Sequence, residues 1–334
     1  MNAPMNFPVN VVQRCRDECK QAPQRIVFAD ALDPRVLHAA NELQKQGLAE
    51  PILIGNPFAI RDFAYRSGVA IPCFAVVDPQ GSGYFEQFVD AFLESIDETM
   101  GRASAEQLLR DPVFYAAMMV RRDQAEICIA GNLSTTGDVL RAALKVIGIA
   151  EQHRTVSSFF VMTSPDGTDV RLFADAAVVP EPTVEQLADI TIDAARNFEK
   201  LTGEIARVAM LSFSTKGSSN HPCAQRVRDA FELVRSRSPD LIIDGELQFD
   251  AAVVPSVADH KAPGSPLHGD SNVMVFPSLD AGNIAYKVAE RLANYQALGP
   301  LLQGLQKPMH DLSRGCSADD IVDIAVLASC LAKQ

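Results

Sequence analysis

An α/β protein built around mostly parallel sheets is what this sequence predicts, and three observations carry the prediction. Short β-branched runs alternate with longer amphipathic segments, the pattern of βα units. At 334 residues the chain exceeds one ordinary core, so two domains or one large α/β unit are expected. Hydrophobic residues make up 47% and charged residues 22%, a globular balance and not a disordered one.

The elements follow in order. The clearest strands are "RIVFAD" (25–30), "PILIGN" (51–56), "EICIAG" (126–131), "VSSFFVM" (156–162), "VAMLSF" (208–213), "LIIDGE" (241–246) and "VMVFPS" (273–278). Helices are expected over 33–47, roughly 137–147, 183–199, 222–237, 282–295 and 318–332. In the first, Asp33 can cap, Pro34 suits the first helical position, and Gly47 can close the end. "KAPGSPLHGDSN" (261–272) is too rich in proline and glycine to be an element. Repeats and low-complexity tracts are absent, and composition alone places no domain boundary.

Bulk properties remove several function classes. A net charge of −12 disfavours nucleic acid, which needs a basic footprint, but leaves small anions open to local arginines and helix starts. No apolar run reaches the ~18 residues of a membrane span, and the N-terminus lacks a secretory layout. A soluble cytoplasmic protein is expected. Seven scattered cysteines read as reduced thiols, and no Cys/His cluster completes a zinc set, so no metal site is expected. The amphipathic "VNVVQRCRDECKQ" is read as packing on the first domain, with a partner such as a bacterial microcompartment shell as the other reading.

In open α/β sheets ligands bind beyond the carboxyl ends of strands, and four loops there have unusual content. "GNLSTTGDVLRAAL" (131–144) sets Ser134, Thr135 and Thr136 before a helix; hydroxyls and free amides suit phosphate, although a plain N-cap is the commoner use. Arg141, one turn on, faces either the same ligand or solvent. "SFSTKGSSNHPC" (212–223) repeats the arrangement with Ser214, Thr215, Lys216 and Gly217 but lacks the G-x-x-x-x-G-K-S/T spacing. No strand-to-helix turn carries G-x-G-x-x-G, so a nicotinamide or flavin site has little support. His221 reads as structural more readily than as a base. "DGELQFDAA" (244–252) groups Asp244, Glu246 and Asp250, carboxylates that bind Mg²⁺, pair with arginines or, for Asp250, cap a helix. In "DLSRGCSADD" (311–320), Ser317 with Asp320 imitates a capping box, which leaves Ser313 and Arg314 unexplained. Cys316 as a nucleophile lacks a well-spaced histidine other than His310. The pattern reads as an anion site and goes no further.

Together "STTGDVLRAAL", "TVSSFFVM", "EPTVEQLADI", "RVAMLSFSTKGS", "PDLIIDGELQFDAA", "NVMVFPSLDAGNIAYK" and "DLSRGCSADDIV" strongly resemble the phosphate acetyltransferases, in one consistent order over nearly the whole chain. "FADALDPRVL", "CIAGNLS" and "PMHDLSRGCS" are most similar to the ethanolamine-utilisation branch. The resemblance implies reversible transfer: acetyl-CoA and phosphate give acetyl phosphate and CoA. It implies no cofactor, coenzyme A being a substrate, and a homodimer. It also implies two α/β domains of isocitrate/isopropylmalate-dehydrogenase-like architecture, 1–143 with 296–334 and 144–295, and an active site in the cleft between them. By the same resemblance Asp320 takes the thiol proton, Ser313 hydrogen-bonds the sulfur, and Arg314 stabilises charge on carbonyl and phosphate. "STTGDVLR" and "STKGS" then contribute to holding phosphate and CoA.

One stretch departs from the family. Many relatives carry a basic "RKHKG"-like run where this chain reads "FLESIDETMGRASAEQ", so a CoA-associated arginine has no evident counterpart; Arg102, Arg121 and Arg122 are candidates to replace it. The proton transfer has a requirement of its own. A thiol near pKa ~8.5 and an aspartate near ~3.9 differ by about 4.6 units, about 6 kcal/mol against transfer. Burial of Asp320, an arginine beside the thiol, or transfer concerted with attack would offset that gap. Rival readings are a non-catalytic acetyl-CoA sensor, transfer of propionyl or butyryl groups, and a decarboxylating dehydrogenase on the same architecture.

Overall fold

The computed structural model describes residues 11–69, 75–95, 100–151 and 153–333. Cys73 and residues 1–10 of the N-terminal stretch lie outside them. The described residues form two compact units, one within Val12–Ala150 with 305–333 and one within Glu151–Gly304.

The first begins with helix α1 (Val11–Gln21), then β1 (Gln24–Phe28), α2 (Pro34–Lys45), β2 (Ala49–Ile54), α3 (Pro57–Arg66) and β3 (Ala75–Val77). Next come α4 (Phe85–Leu93), α5 (Arg102–Leu109), α6 (Pro112–Arg121), β4 (Ile127–Ala130) and α7 (Thr136–Ala142), which runs into a π turn over Ala143–Ile147. α2 starts as its sequence predicts: the Asp33 carboxylate accepts the Arg35 N–H and Pro34 follows the cap. Asn56 and Asp111 cap α3 and α6 in the same way.

The second unit holds β5 (Ser157–Thr163), β6 (Val170–Ala174), α8 (Val184–Thr202), β7 (Arg207–Leu211), α9 (Pro222–Arg237) and β8 (Ile242–Leu247). It continues with α10 (Phe249–Val253), α11 (Pro255–Lys261), β9 (Val273–Val275), α12 (Leu279–Ala293) and β10 (Gln296–Gln303). The chain then returns to the first unit with β11 (Met309–Asp311) and α13 (Ala318–Ala332).

The first unit's sheet has the order β11-β4-β1-β2-β3, with every pairing parallel. Its strands are apolar on both faces, as a covered parallel sheet requires. Val27, Ile52, Ile54 and Cys128 join Phe88, Phe92, Leu109 and Tyr115 in one cluster, while Ile26, Phe28 and Ile127 are fully buried outside it. Each such side chain contributes roughly 1.5–3 kcal/mol by leaving water. α1 packs within this unit: Cys15 and Cys19 are buried, and Arg16 bonds Asp323 of α13 at 2.8 Å.

The second unit's sheet runs β10-β5-β6-β9-β7-β8. β6, β9, β7 and β8 are mutually parallel, and β5 and β10 add antiparallel pairings. Residues 296–303, read from sequence as opening the return to the first domain, pair here with β5. Their register breaks between Leu298 and Leu301, at Gly299-Pro300. Phe160, Phe173, Met274 and Phe276 form this unit's core on one face, where Phe160 stacks on Tyr286 of α12 with centroids 4.0 Å apart.

Candidate active site

β11, β4 and β1 lie side by side and parallel, so the loops that leave their carboxyl ends share one edge of the sheet. From β1 the chain turns to one neighbour through α2, and β4 lies on the other side, a switch point of the kind where α/β sheets bind ligands. Residues 29–33, 131–135 and 312–317 meet there.

Asp30, directly after β1, organises the edge. Its Oδ2 accepts the N–H groups of Gly131 and Asn132, each at 2.8 Å, and of Leu133 at 3.2 Å, while its Oδ1 accepts the Ser134 hydroxyl at 2.7 Å. The loop therefore already wraps an anion, a carboxylate of this chain. Of the two readings of the turn, the plain N-cap is seen at Thr135. The hydroxyls of Thr135 and Thr136 are also engaged, Thr135 capping α7 through the Asp138 N–H and Thr136 donating to Asp311 at 2.7 Å. Arg141 is exposed and pairs with Asp138 at 2.8 Å.

The loop 312–317 is pinned from α2. Arg35 binds Asp33 through Nε and one terminal nitrogen, and its other terminal nitrogen donates to the carbonyls of Arg314 at 2.7 Å and Cys316 at 2.9 Å. A planar guanidinium suits such bridging. Ser313 and Arg314 are left exposed at the rim; the Ser313 hydroxyl oxygen accepts the Gly315 N–H at 3.3 Å, and Arg314 forms no ion pair among the described residues.

Ser317 and Asp320 form the capping box that their spacing imitates. The Asp320 N–H donates to the Ser317 hydroxyl, and the Asp320 carboxylate accepts the Ser317 N–H and hydroxyl, each at 2.8 Å. Asp320 is partly exposed, at the helix start that follows Ser313 and Arg314 in sequence. Cys316 is a buried thiol whose sulfur accepts from Asn132 at 3.4 Å, and burial pushes its pKa up. His310, buried on β11, has its pKa lowered to about 4 by burial. The two form no thiolate–imidazolium pair, which leaves the nucleophilic-cysteine reading unsupported.

Asp30, Arg35 and Asp311 escape sequence reading. Their signal is weak: a carboxylate just after an apolar strand, "VFAD" and "MHD", at an edge only the strand order reveals.

In the second unit the "STKGS" turn follows β7. The Ser214 hydroxyl donates to Glu246 at 2.6 Å, and the Gly217 N–H donates to the same carboxylate at 3.1 Å. The Thr215 hydroxyl accepts the Gln248 N–H at 2.9 Å. Lys216, at φ +49°, is bonded to Asp244, and its ammonium lies 5.5 Å from the Phe231 ring centroid. It borders a cavity of about 610 Å³ beside β8, shared with Phe231, Arg235 and Asp244. The carboxylates of "DGELQFDAA" are paired singly: Asp244 with Lys216, Glu246 with Arg228 at 2.8 Å, Asp250 with Lys261 at 2.7 Å. Among the described residues no cluster of three metal-ligating groups exists. His221 is structural, its Nδ1 accepting the Cys223 N–H at the start of α9.

Of the arginines offered for the missing basic run, Arg102 binds Glu86, Asp90 and Glu106. Arg121 is committed to the Val146 carbonyl at 2.6 Å. Residues 96–99 of that stretch lie outside the described residues. No described helix is long and apolar enough to cross a membrane.

Comparison with known proteins supplies what the geometry does not name. A relative in Thermoanaerobacterium thermosaccharolyticum, named phosphate acetyltransferase, is 41% identical over 95% of this chain and 97% of its own. The EutD phosphotransacetylase structure from Staphylococcus aureus matches with TM-score 0.90 at 36% identity, covering 98% of this chain and 100% of that one. A phosphotransacetylase structure from Streptococcus pyogenes matches with TM-score 0.92 at 37% identity, over 96% and 98%. The family model described as phosphate acetyl/butaryl transferase matches residues 10–329. With agreement of sequence and fold over nearly its whole length, the chain belongs to the phosphate acetyl/butaryl transferase family.

Proposed function

We propose that the chain catalyses reversible transfer of an acetyl group between coenzyme A and inorganic phosphate. The observation that carries this reading is the rim itself: Ser313 and Arg314 stand exposed on a loop held by Arg35, next to Asp320 at a helix start. The near-full-length relatives named phosphate acetyltransferase support it.

In the direction of acetyl-CoA synthesis the CoA thiol passes its proton to Asp320 as sulfur attacks the acetyl carbonyl. The C–O bond to phosphate then breaks and phosphate leaves. Ser313 hydrogen-bonds the sulfur. Arg314 favours the developing thiolate and stabilises the tetrahedral oxyanion, a contribution of about 2.7–4 kcal/mol for one well-placed donor. Attack is direct, within a ternary complex, and uses no covalent acyl-cysteine. The Asp138-paired Arg141 and the Asp244-paired Lys216 are read as cations that exchange a carboxylate for substrate phosphate. Ser134, Thr135, Thr136, Ser214, Thr215 and Gly217 shape the two turns that present them.

A homodimer is part of the proposal, and α12 offers a surface for it. Ile284, Val288 and Leu292, four residues apart, are 62%, 50% and 80% exposed. Val288→Asp is expected to shift the purified protein toward monomer in light scattering; an unchanged mass would remove α12 from the interface.

The deciding measurement is free-thiol release from acetyl-CoA with and without phosphate, alongside Asp320→Asn, and with propionyl- and butyryl-CoA in parallel. Rapid phosphate-dependent release, abolished in the variant, supports the reading. Binding of acetyl-CoA without release would make the chain a sensor, and release without phosphate would make it a thioesterase.

A further inference from the structure

β8 is the edge strand of the second unit's sheet, and the cavity of about 610 Å³ that Lys216 borders lies along it. Residues 263–266, "PGSP", line the same cavity. They cannot extend the sheet: each proline lacks an N–H, and Gly264 between them turns at φ +81°. The loop therefore stands beside the strand without pairing, and the gap has the size of a small-molecule site.

Its inner end holds one unsatisfied group. Asp244 is 2% exposed; its Oδ1 is bonded to Lys216 and accepts the Gly245 N–H at 2.9 Å. Its Oδ2 is buried with no hydrogen-bond partner among the described residues. A carboxylate oxygen taken out of water without a donor is destabilising. Lys216 already supplies a positive charge there, and a second ammonium beside it would be repelled. The donor that suits Oδ2 is therefore neutral, a hydroxyl or an N–H.

The outer end is cationic. The Arg235 guanidinium carbon lies 5.6 Å from the centroid of the Phe231 ring, and the Lys216 ammonium lies 5.5 Å from the same ring. Arg235 has an ion pair with Glu232, but at 3.9 Å, with the two side chains 60% and 69% exposed. Such a pair is weak in water and gives way to a phosphate, which a guanidinium grips with two parallel hydrogen bonds. Between the two ends the walls are apolar, with Leu241, Ile243 and Pro266 among them. A small hydroxy acid would fill only part of this volume, and a free sugar phosphate would leave the apolar wall uncovered.

We propose that this cavity binds a nucleoside monophosphate. Its phosphate lies on Arg235 and Lys216, its base lies against Leu241, Ile243 and Pro266, and one of its neutral N–H or O–H groups donates to Asp244 Oδ2. The inference goes beyond the acyl-transfer reading and does not rest on it. In that reading Lys216 leaves Asp244 for substrate phosphate; with this cavity filled, it stays on Asp244.

The test is calorimetric titration of the full chain with AMP, GMP, CMP and UMP, and with ribose 5-phosphate and inorganic phosphate, each to about 5 mM. Expected is saturable binding of at least one nucleotide, about tenfold or more tighter than ribose 5-phosphate. Arg235→Ala, at an exposed position, should weaken that binding by about tenfold or more. Arg237→Ala removes the next arginine of the same helix end, which is bound to Asp189 at 2.8 Å, and should leave it unchanged. The KM for acetyl-CoA should be the same in Arg235→Ala as in the wild type. The proposal is overturned if no nucleotide binds, if ribose 5-phosphate or phosphate binds as well, or if Arg235→Ala has no greater effect than Arg237→Ala. A KM for acetyl-CoA that rises in Arg235→Ala would make the cavity part of the CoA site and overturn it too. Nucleotide binding with the expected arginine dependence, in a chain that releases no thiol, would refute the acyl-transfer reading and uphold this one.

Discussion

Ser317 and Asp320 serve one helix start, so the structural and chemical duties of Asp320 can be separated by substituting each in turn. Ser317→Ala removes the hydroxyl that accepts the Asp320 N–H at 3.1 Å and that donates to its carboxylate at 2.8 Å. Loss of such an N-cap destabilises by about 1 kcal/mol, and the second hydrogen bond adds about as much again. For a unit of this size, Val12–Ala150 with Leu305–Gln334, that amounts to a Tm lower by about 3–8 °C. Asp320→Asn retains a side-chain carbonyl to accept from Ser317, so it should lower Tm by less. It has no carboxylate to take a proton, and kcat should fall by about 10²–10⁴. Thermal unfolding and thiol release on the same preparations give both readings. Stability lost in Ser317→Ala and rate lost in Asp320→Asn is the expected crossing. If Ser317→Ala loses rate as severely as Asp320→Asn, turnover depends on the geometry of the cap and the carboxylate need not act as a base.

Three further outcomes are expected. Asp311 has its carboxyl pKa raised from 3.8 to about 6; a raised carboxyl stabilises the fold below the lower value and loses that contribution as pH rises through the upper. Asp311→Asn should therefore match the wild type near pH 4 and exceed it by up to about 3 kcal/mol at pH 8 in urea titrations, and lower stability at pH 8 would contradict the burial of an uncompensated charge. Arg35→Lys cannot span Asp33 and the carbonyls of Arg314 and Cys316 together, so kcat should drop by roughly tenfold or more while Cys316 becomes reactive toward a thiol reagent, compared against a Cys316→Ser background; unchanged labelling would show that Arg35 does not hold the loop. Gly131→Ala places a Cβ 2.3 Å from Asp311 Oδ1 and 2.6 Å from the Leu312 nitrogen, at φ +110°. It should cost at least about 2 kcal/mol, and a normal Tm would mean that the edge is looser than drawn.

How much of this was legible beforehand depended on what kind of signal each feature leaves. The seven runs read as strands are strands, because β-branched alternation and flanking turns are local. β3 and β11 are three residues each, and β11, "MHD", carries a histidine and an aspartate where a strand would ordinarily show apolar residues. β10 hides behind Gly299-Pro300, a breaker by every local rule, tolerated where the register of an antiparallel pair already shifts. α6, "PVFYAAMMVR", buried almost all round, lacks an amphipathic stripe. At the rim, Ser313, Arg314 and the Ser317–Asp320 box could be found because they are consecutive. Asp30, Arg35 and Asp311 could not, since their meaning comes from β1, β4 and β11 being neighbours. That the amides of Gly131, Asn132 and Leu133 hold a carboxylate was hidden for the same reason: Asp30 lies a hundred residues upstream.

The interruption of the first unit by residues 151–304 has a consequence during synthesis. β4 emerges from the ribosome with one side of its ladder unpaired, and its partner β11 is not made until the 178 residues between them have been translated, 131 to 308 inclusive. At about 5–20 residues per second that delay is roughly 9–36 s, far longer than the folding time of most small domains. Throughout it the Asp30-centred turn and the bare β4 edge await a strand not yet made, while the continuous second unit can complete itself. The reactive loop is thus made only after the whole of residues 151–304, directly behind the strand that closes the sheet.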